Sequence, residues 1–156
     1  DYLFCDVMES LGATVERQAQ TRITGPKQLL PLRRIDMQEM PDVALTLIAM
    51  SPLLAEPIEI TGLQSLHYKE CDRLECPATE MRAMGIELST THDSIVVSPL
   101  GKLEPEIHTL NTYHDHRMAM AFATLASAHG TLTLDDKAVV NKTYPAFWDD
   151  YERLQS

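Results

Sequence analysis

Basic residues are scarce in this 156-residue chain: 13 Lys and Arg stand against 23 Asp and Glu, for a net charge of −10. That balance argues against a general nucleic-acid or membrane-surface binder, because phosphate-rich surfaces are held by basic ones. An anionic ligand would need its cations gathered locally against the average. Cysteine is scarce too. Cys5, Cys71 and Cys76 lack metal-ligand spacing and leave one over from any pairing, so a reduced, cytosolic setting is expected. No apolar run approaches the ~18 residues of a membrane span. No signal peptide is expected: the chain opens DYLFCDVMESLG, which reads as the middle of a helix. With no initiator Met either, a fragment of a longer protein is the expectation. What remains is ordinary for a globular domain, with 44% apolar and 23% charged residues and enough length to bury a core.

What the chain does have is an internal repeat. Leu3, Val7, Met8 and Leu11 fall at helical spacing, Gly12 suits the position just past a helix end, and ATVER and TRITG then read as a hairpin. The stretch LECPATEMRAMGIELSTTHDSIVVSP has the same shape. Placing Met8 on Met81 sets an offset of 73, which also puts Gly12 on Gly85, Pro26 on Pro99, and Leu11, Val15 and Ile23 on Met84, Leu88 and Val96. The same offset puts Asp42, opening DVALTLIAMSPLLAEPIEITG, on Asp115, opening DHRMAMAFATLASAHGTLTLD. Strands over Leu29–Met37 and Ile107–Tyr113 would lead into these two helices. The expected fold class is therefore α/β or α+β, built from strand–helix–strand–helix–hairpin units. A partial unit spans 1–28, a full unit 29–100 and a final unit 101–156. Because equivalent helix starts of repeated units face a common region, Asp42 and Asp115 are expected to be neighbours.

Four charged clusters carry candidate chemistry. Asp42, after Met40 and Pro41, reads either as a helix N-cap or as a carboxylate able to take a proton from a hydroxyl. In HYKECDR, Lys69, Glu70 and Arg73 share one face if the stretch is a helical turn; the alternatives are a solvated ion-pair ladder and an anion site with a proton-moving acid. In DHR, Asp115 suits a helix start, but His116 and Arg117 do not, because a helix N-terminus already carries partial positive charge. A bound phosphate or carboxylate would reconcile them. In NKTYPAFWDDYERL, Lys142 precedes a helix expected near Pro145, while Phe147, Trp148 and Tyr151 read as packing.

Taken in order, D-M-x-x-x-P-D, K-E-x-D-R, Y-x-D-H-R-M-A-M and K-T-x-P resemble the C-terminal part of the 5-enolpyruvylshikimate-3-phosphate synthase family, the 3-phosphoshikimate 1-carboxyvinyltransferases. The resemblance implies one of two domains, each an inside-out α/β barrel of three repeated units, with the N-terminal domain lying outside this chain as its partner. It implies transfer of the enolpyruvyl group of phosphoenolpyruvate to the 5-hydroxyl of shikimate 3-phosphate, releasing phosphate, with no cofactor and no metal. It also implies residue roles. Asp42 would accept the 5-hydroxyl proton and hold the shikimate ring, and Lys69 would contact shikimate 3-phosphate. Arg73, Arg117 and Lys142 would hold phosphoenolpyruvate, with His116 as a hydrogen-bonding partner. Either Glu70 or Lys142 would protonate the methylene carbon, and sequence does not choose between them. Three positions depart from the family pattern: His67 stands where arginine is usual, and Ser65 and His114 where asparagine is. Two rival readings are a relative acting on UDP-N-acetylglucosamine and a non-catalytic phosphometabolite-binding module. The first is not expected to carry these motifs, and pure anion binding would favour losing both Asp42 and Glu70.

Overall fold

The structure is a computed structural model that describes residues 2–101, 108–129 and 132–155. Two β–α–β crossovers organise it. Strand β3 (Arg34–Asp36) runs parallel to β4 (Ile58–Thr61), joined through helix α2 (Pro41–Met50). Strand β7 (His108–Leu110) runs parallel to β8 (Leu132–Leu134), joined through helix α4 (His116–His129). Parallel pairing requires such a crossover, and a helix supplies it. Ahead of each crossover lies a helix and a hairpin: α1 (Phe4–Ser10) with β1 (Thr14–Arg17) and β2 (Thr21–Thr24), and, after β4, α3 (Glu75–Ala83) with β5 (Leu88–Thr90) and β6 (Ile95–Val97).

The repeat persists down to single hydrogen bonds. Gly12 (φ +95°) and Gly85 (φ +80°) both adopt the left-handed conformation past their helices. Gly12 N donates to Glu9 O and Ala13 N to Met8 O; 73 residues on, Gly85 N donates to Arg82 O and Ile86 N to Met81 O. Glycine is suited here because a Cβ disfavours positive φ.

Strand β4 alternates as a half-buried strand should, with Ile58 and Ile60 fully buried and Glu59 and Thr61 less so. It sits between β3 and β6 in a sheet ordered β3-β4-β6-β5. Helices α2 and α4 pack on each other, and Ala44, Leu45, Leu47 and Ile48 of α2 join Met118, Ala121, Phe122 and Leu125 of α4 in one core. This contact brings the two helix starts together, and with them Asp42 and Asp115.

Some local expectations change. The strand expected over Leu29–Met37 is only Arg34–Asp36; Pro26 and Pro31 remove ladder donors upstream. The strand expected over Ile107–Tyr113 is His108–Leu110, with Ile107 outside the described residues and Asn111–His114 leaving the ladder. Helix α5 (Phe147–Gln155) starts two residues after Pro145. Phe147, Trp148 and Tyr151 pack as an aromatic cluster, anchored by Trp148 Nε1 on Lys137 O and Tyr151 Oη on Ala123 O. All three cysteines are free thiols, and no helix among the described residues is long and apolar enough to cross a membrane.

Candidate active site

Four segments meet at the paired helix starts. At α2 the local reading needs correcting: Pro41 holds the first helical position, Met40 is the cap residue without a side-chain bond, and Asp42 lies one position inside. Proline suits that first position because its missing N–H has no helical partner to lose. The Asp42 carboxylate is thereby released from capping. At α4 the cap expectation holds, since Asp115 Oδ1 accepts the Arg117 main-chain N–H at 2.9 Å.

The third segment, Lys69–Arg73, is a bend, so the helical turn that would have put its charges on one face does not form. A short 3₁₀ turn ends at Tyr68, and α3 begins only after Asp72, whose Oδ1 accepts main-chain N–H groups from Leu74 (3.1 Å) and Glu75 (3.0 Å). Even so, Arg73 reaches back to Glu70, with Nη2 to Oε2 at 2.6 Å. The fourth segment is the turn Ala138–Lys142, which delivers Lys142 to Glu70 at 2.8 Å.

Arg73 sits at the centre and is 2% exposed. Its Nε and Nη2 fork onto Asp115 (2.7 and 3.1 Å), Nη1 donates to Asp42 Oδ1 (3.0 Å) and Nη2 to Glu70. A planar guanidinium can serve three carboxylates from separate segments in this way; an ammonium lacks the fixed fork. Lys69 Nζ is 3.0 Å from Asp42 Oδ1, and Arg117 approaches the same carboxylate at 3.6 Å while donating to Asp42 O at 3.3 Å. Four cations thus surround three carboxylates, so positive charge accumulates locally in an acidic chain. Arg73 is internal, whereas Lys69, Arg117 and Lys142 retain 28%, 32% and 56% side-chain exposure.

The charges set proton affinities. The Lys142 hydrogen bond, a backbone hydrogen bond and the nearby Arg73 charge bring the Glu70 carboxyl down to about 2. Burial pushes Asp42 upward, but the Lys69 hydrogen bond and the charges of Arg117, Lys69 and Arg73 outweigh it and hold it below the usual range. His116 moves the other way for a base: burial lowers its pKa and keeps the imidazole neutral. Its Nδ1 is buried without a hydrogen-bond partner, 3.7 Å from Asp115 Oδ1. A buried orphan of this kind calls for an explanation.

The α4 start is reached through two consecutive left-handed residues, Tyr113 (φ +52°) and His114 (φ +56°). Such a conformation is disfavoured for a bulky side chain and is held by its surroundings. Tyr113 Oη donates to buried Glu80 at 2.6 Å, and Glu80 also accepts from Asn111 N and Nδ2. The central role of Asp115 and the bracing by Glu80 escape the sequence reading. The offset of 73 that pairs Asp115 with Asp42 was the signal for the first; Glu80 offers none. Of the departing positions, exposed His114 sits at a positive φ that asparagine and histidine both tolerate better than most residues. His67 binds Asp72 and the His92 carbonyl. Ser65 lies half-buried in the 3₁₀ turn.

Known proteins share the sequence and fold of this chain. The family model for EPSP synthase (3-phosphoshikimate 1-carboxyvinyltransferase) matches residues 1–151. A 3-phosphoshikimate 1-carboxyvinyltransferase of Nostoc punctiforme is 35% identical over 99% of this chain and 35% of its own length. One from Bacteroides fragilis is 38% identical over 95% of this chain and 37% of its own. The chain therefore spans roughly a third of the length of these curated relatives. A solved EPSP synthase from Acinetobacter baumannii superposes with a TM-score of 0.77 at 22% identity, over 96% of this chain and 38% of that one, which supports the fold. The chain belongs to the EPSP synthase (3-phosphoshikimate 1-carboxyvinyltransferase) family.

Proposed function

We propose that this chain supplies one wall of an active site that transfers the enolpyruvyl group of phosphoenolpyruvate to the 5-hydroxyl of shikimate 3-phosphate, with release of phosphate. In this reading its three successive units (1–28, 29–100 and 101–156) are most of a C-terminal domain, and a separate N-terminal domain supplies the opposing wall. The observation that carries it is the Arg73-centred cluster, in which Asp42 and Glu70 lie among partly exposed cations beside His116, whose buried Nδ1 lacks a hydrogen-bond partner.

Both substrates are polyanions, and Lys69, Arg117 and Lys142 offset their mutual repulsion. Lys69 contacts shikimate 3-phosphate, while Arg73, Arg117 and Lys142 hold phosphoenolpyruvate and His116 Nδ1 completes its hydrogen bonds. Asp42 takes the 5-hydroxyl proton as the oxygen adds to the enol carbon. Glu70 or Lys142 delivers a proton to the methylene carbon. Loss of phosphate and of a methyl proton then restores the double bond. Without substrate, the cations hold both carboxylates ionised. Drawing Lys142 and Arg117 onto substrate oxygens weakens that hold and raises both proton affinities toward what proton transfer needs. No cofactor or metal enters this scheme.

In the full-length enzyme, Asp42→Ala and Glu70→Ala should each lower kcat by about 10²–10⁴-fold, with smaller changes in KM. Near-normal turnover in both would sink these roles. The 156-residue chain by itself should stay at background in a phosphate-release assay. Clear turnover there would overturn the need for a second wall.

A further inference from the structure

His67 lies outside the ion cluster, two residues before Lys69. Its Nδ1 is 2.8 Å from Asp72 Oδ2, and its Nε2 is 2.9 Å from the main-chain oxygen of His92. Both partners are acceptors. The carbonyl has no proton to give, and Asp72 is held as a carboxylate because its other oxygen accepts two main-chain N–H groups. A neutral imidazole carries one N–H and serves only one acceptor; a ring bonded to two is protonated on both nitrogens.

We propose that His67 is an imidazolium clamp that positions the Lys69–Arg73 bend against the β5–β6 turn and releases it as the medium becomes alkaline. The bend has no helix or ladder to fix it. Its anchor is well made: Thr91 N donates to Ser94 O across the turn, and Leu63 N donates to Asp93 O from the preceding segment. The acidic groups and the carbonyl facing the ring favour its protonated form. Asp72 lies on the bend and Glu75 on α3, both acidic. From the hairpin come the His92 carbonyl and the His92 ring, stacked 5.0 Å away, and the Tyr68 ring meets it edge-on at 6.5 Å. The Asp72 bond, then the His92 carbonyl, raise the proton affinity of His67 above its ordinary value, and burial opposes them. For a group raised by folding, the added order is complete below the ordinary value of about 6.5 and is lost as pH climbs through the raised one.

The kinetic part of the test rests on the function proposed above; the spectroscopic part does not. In full-length protein labelled with ¹⁵N-histidine, the His67 signals, assigned by their loss in His67→Gln, should show both ring nitrogens protonated at neutral pH. They should titrate above the ordinary range. A neutral tautomer at about pH 7 would overturn the clamp whatever the enzyme does. In assays of the same protein, kcat/KM for shikimate 3-phosphate should fall about tenfold on the alkaline side through loss of a charge-assisted bond. His67→Arg, a permanent cation, should keep neutral-pH activity and remove that fall. An alkaline limb of unchanged size and position in His67→Arg would overturn the positioning role. An inactive wild type with an imidazolium signal would overturn the enzyme reading while leaving the clamp intact.

Discussion

Asp42 and Asp115 occupy equivalent places in two copies of one unit, 73 residues apart, and both bind the same guanidinium. Their surroundings differ sharply. Asp115 is fully buried, caps α4 and takes a two-pronged bond from Arg73. Asp42 keeps 36% of its side chain exposed, caps nothing, and faces Lys69 and Arg117 as well as Arg73. The change behind this is the earlier start of α2: Pro41 takes the first helical position and leaves Asp42 at the second, two places further in than Asp115, which precedes His116 at the start of α4. The repeat places two identical carboxylates at one locus; a two-residue difference in helix start left one structural and freed the other to meet solvent.

The comparison breaks most visibly through stability. Asp115→Asn strips a buried arginine of its main counter-charge and should cost about 3–5 kcal/mol, read as a lower urea midpoint. Asp42→Asn, at a partly exposed pair, should move the same midpoint by about 1 kcal/mol or less. Equal losses would erase the distinction between the two. A smaller effect separates the neighbouring cations. Arg117→Ala should raise KM for phosphoenolpyruvate by about 10–100-fold while leaving the urea midpoint close to wild type, because its side chain is one-third exposed and no buried carboxylate depends on it. An unchanged KM would remove Arg117 from the site. The smallest effect is with acid. Asp42, Glu70 and His116 all bind protons less readily in the folded state, so their contribution is present above the unfolded values and fades as pH falls. Urea midpoints should begin to drop below about pH 6.5 and continue toward pH 2. Glu70→Gln should flatten the lower part of that slope.

Sequence carried the skeleton of this result because repetition is a strong signal. The offset of 73 predicted both crossovers, both hairpins and the meeting of Asp42 with Asp115. Arg117 also stood out, since a cation at a helix start is locally unfavourable, and Lys69, Glu70 and Arg73 stood out as one charged cluster, whereas Lys142 carried little signal outside its motif. What escaped depends on tertiary contacts or on a two-residue difference in helix start. Nothing near Arg73 in the chain says that it will be buried by carboxylates at positions 42, 70 and 115. Sequence left the conformation of Lys69–Arg73 open, since helical spacing fits it, and the Asp72 bonds to Leu74 N and Glu75 N start the helix only beyond it. The left-handed pair Tyr113–His114 depends on Glu80, 33 residues away from Tyr113, and a local pattern cannot report that.

The centrality of Arg73 also bears on how the molecule comes together. Its partners Asp42 and Asp115 are 31 and 42 positions away, and Lys142 reaches Glu70 across 72. Contacts of that span demand loop closure before they return any stability, so they form late on a folding path. Helices and hairpins made from local contacts come first, while the charged cluster waits for α2 to find α4. The charged cluster is therefore a sensor of completed topology: a nearly folded molecule already has its secondary structure and still lacks the cluster.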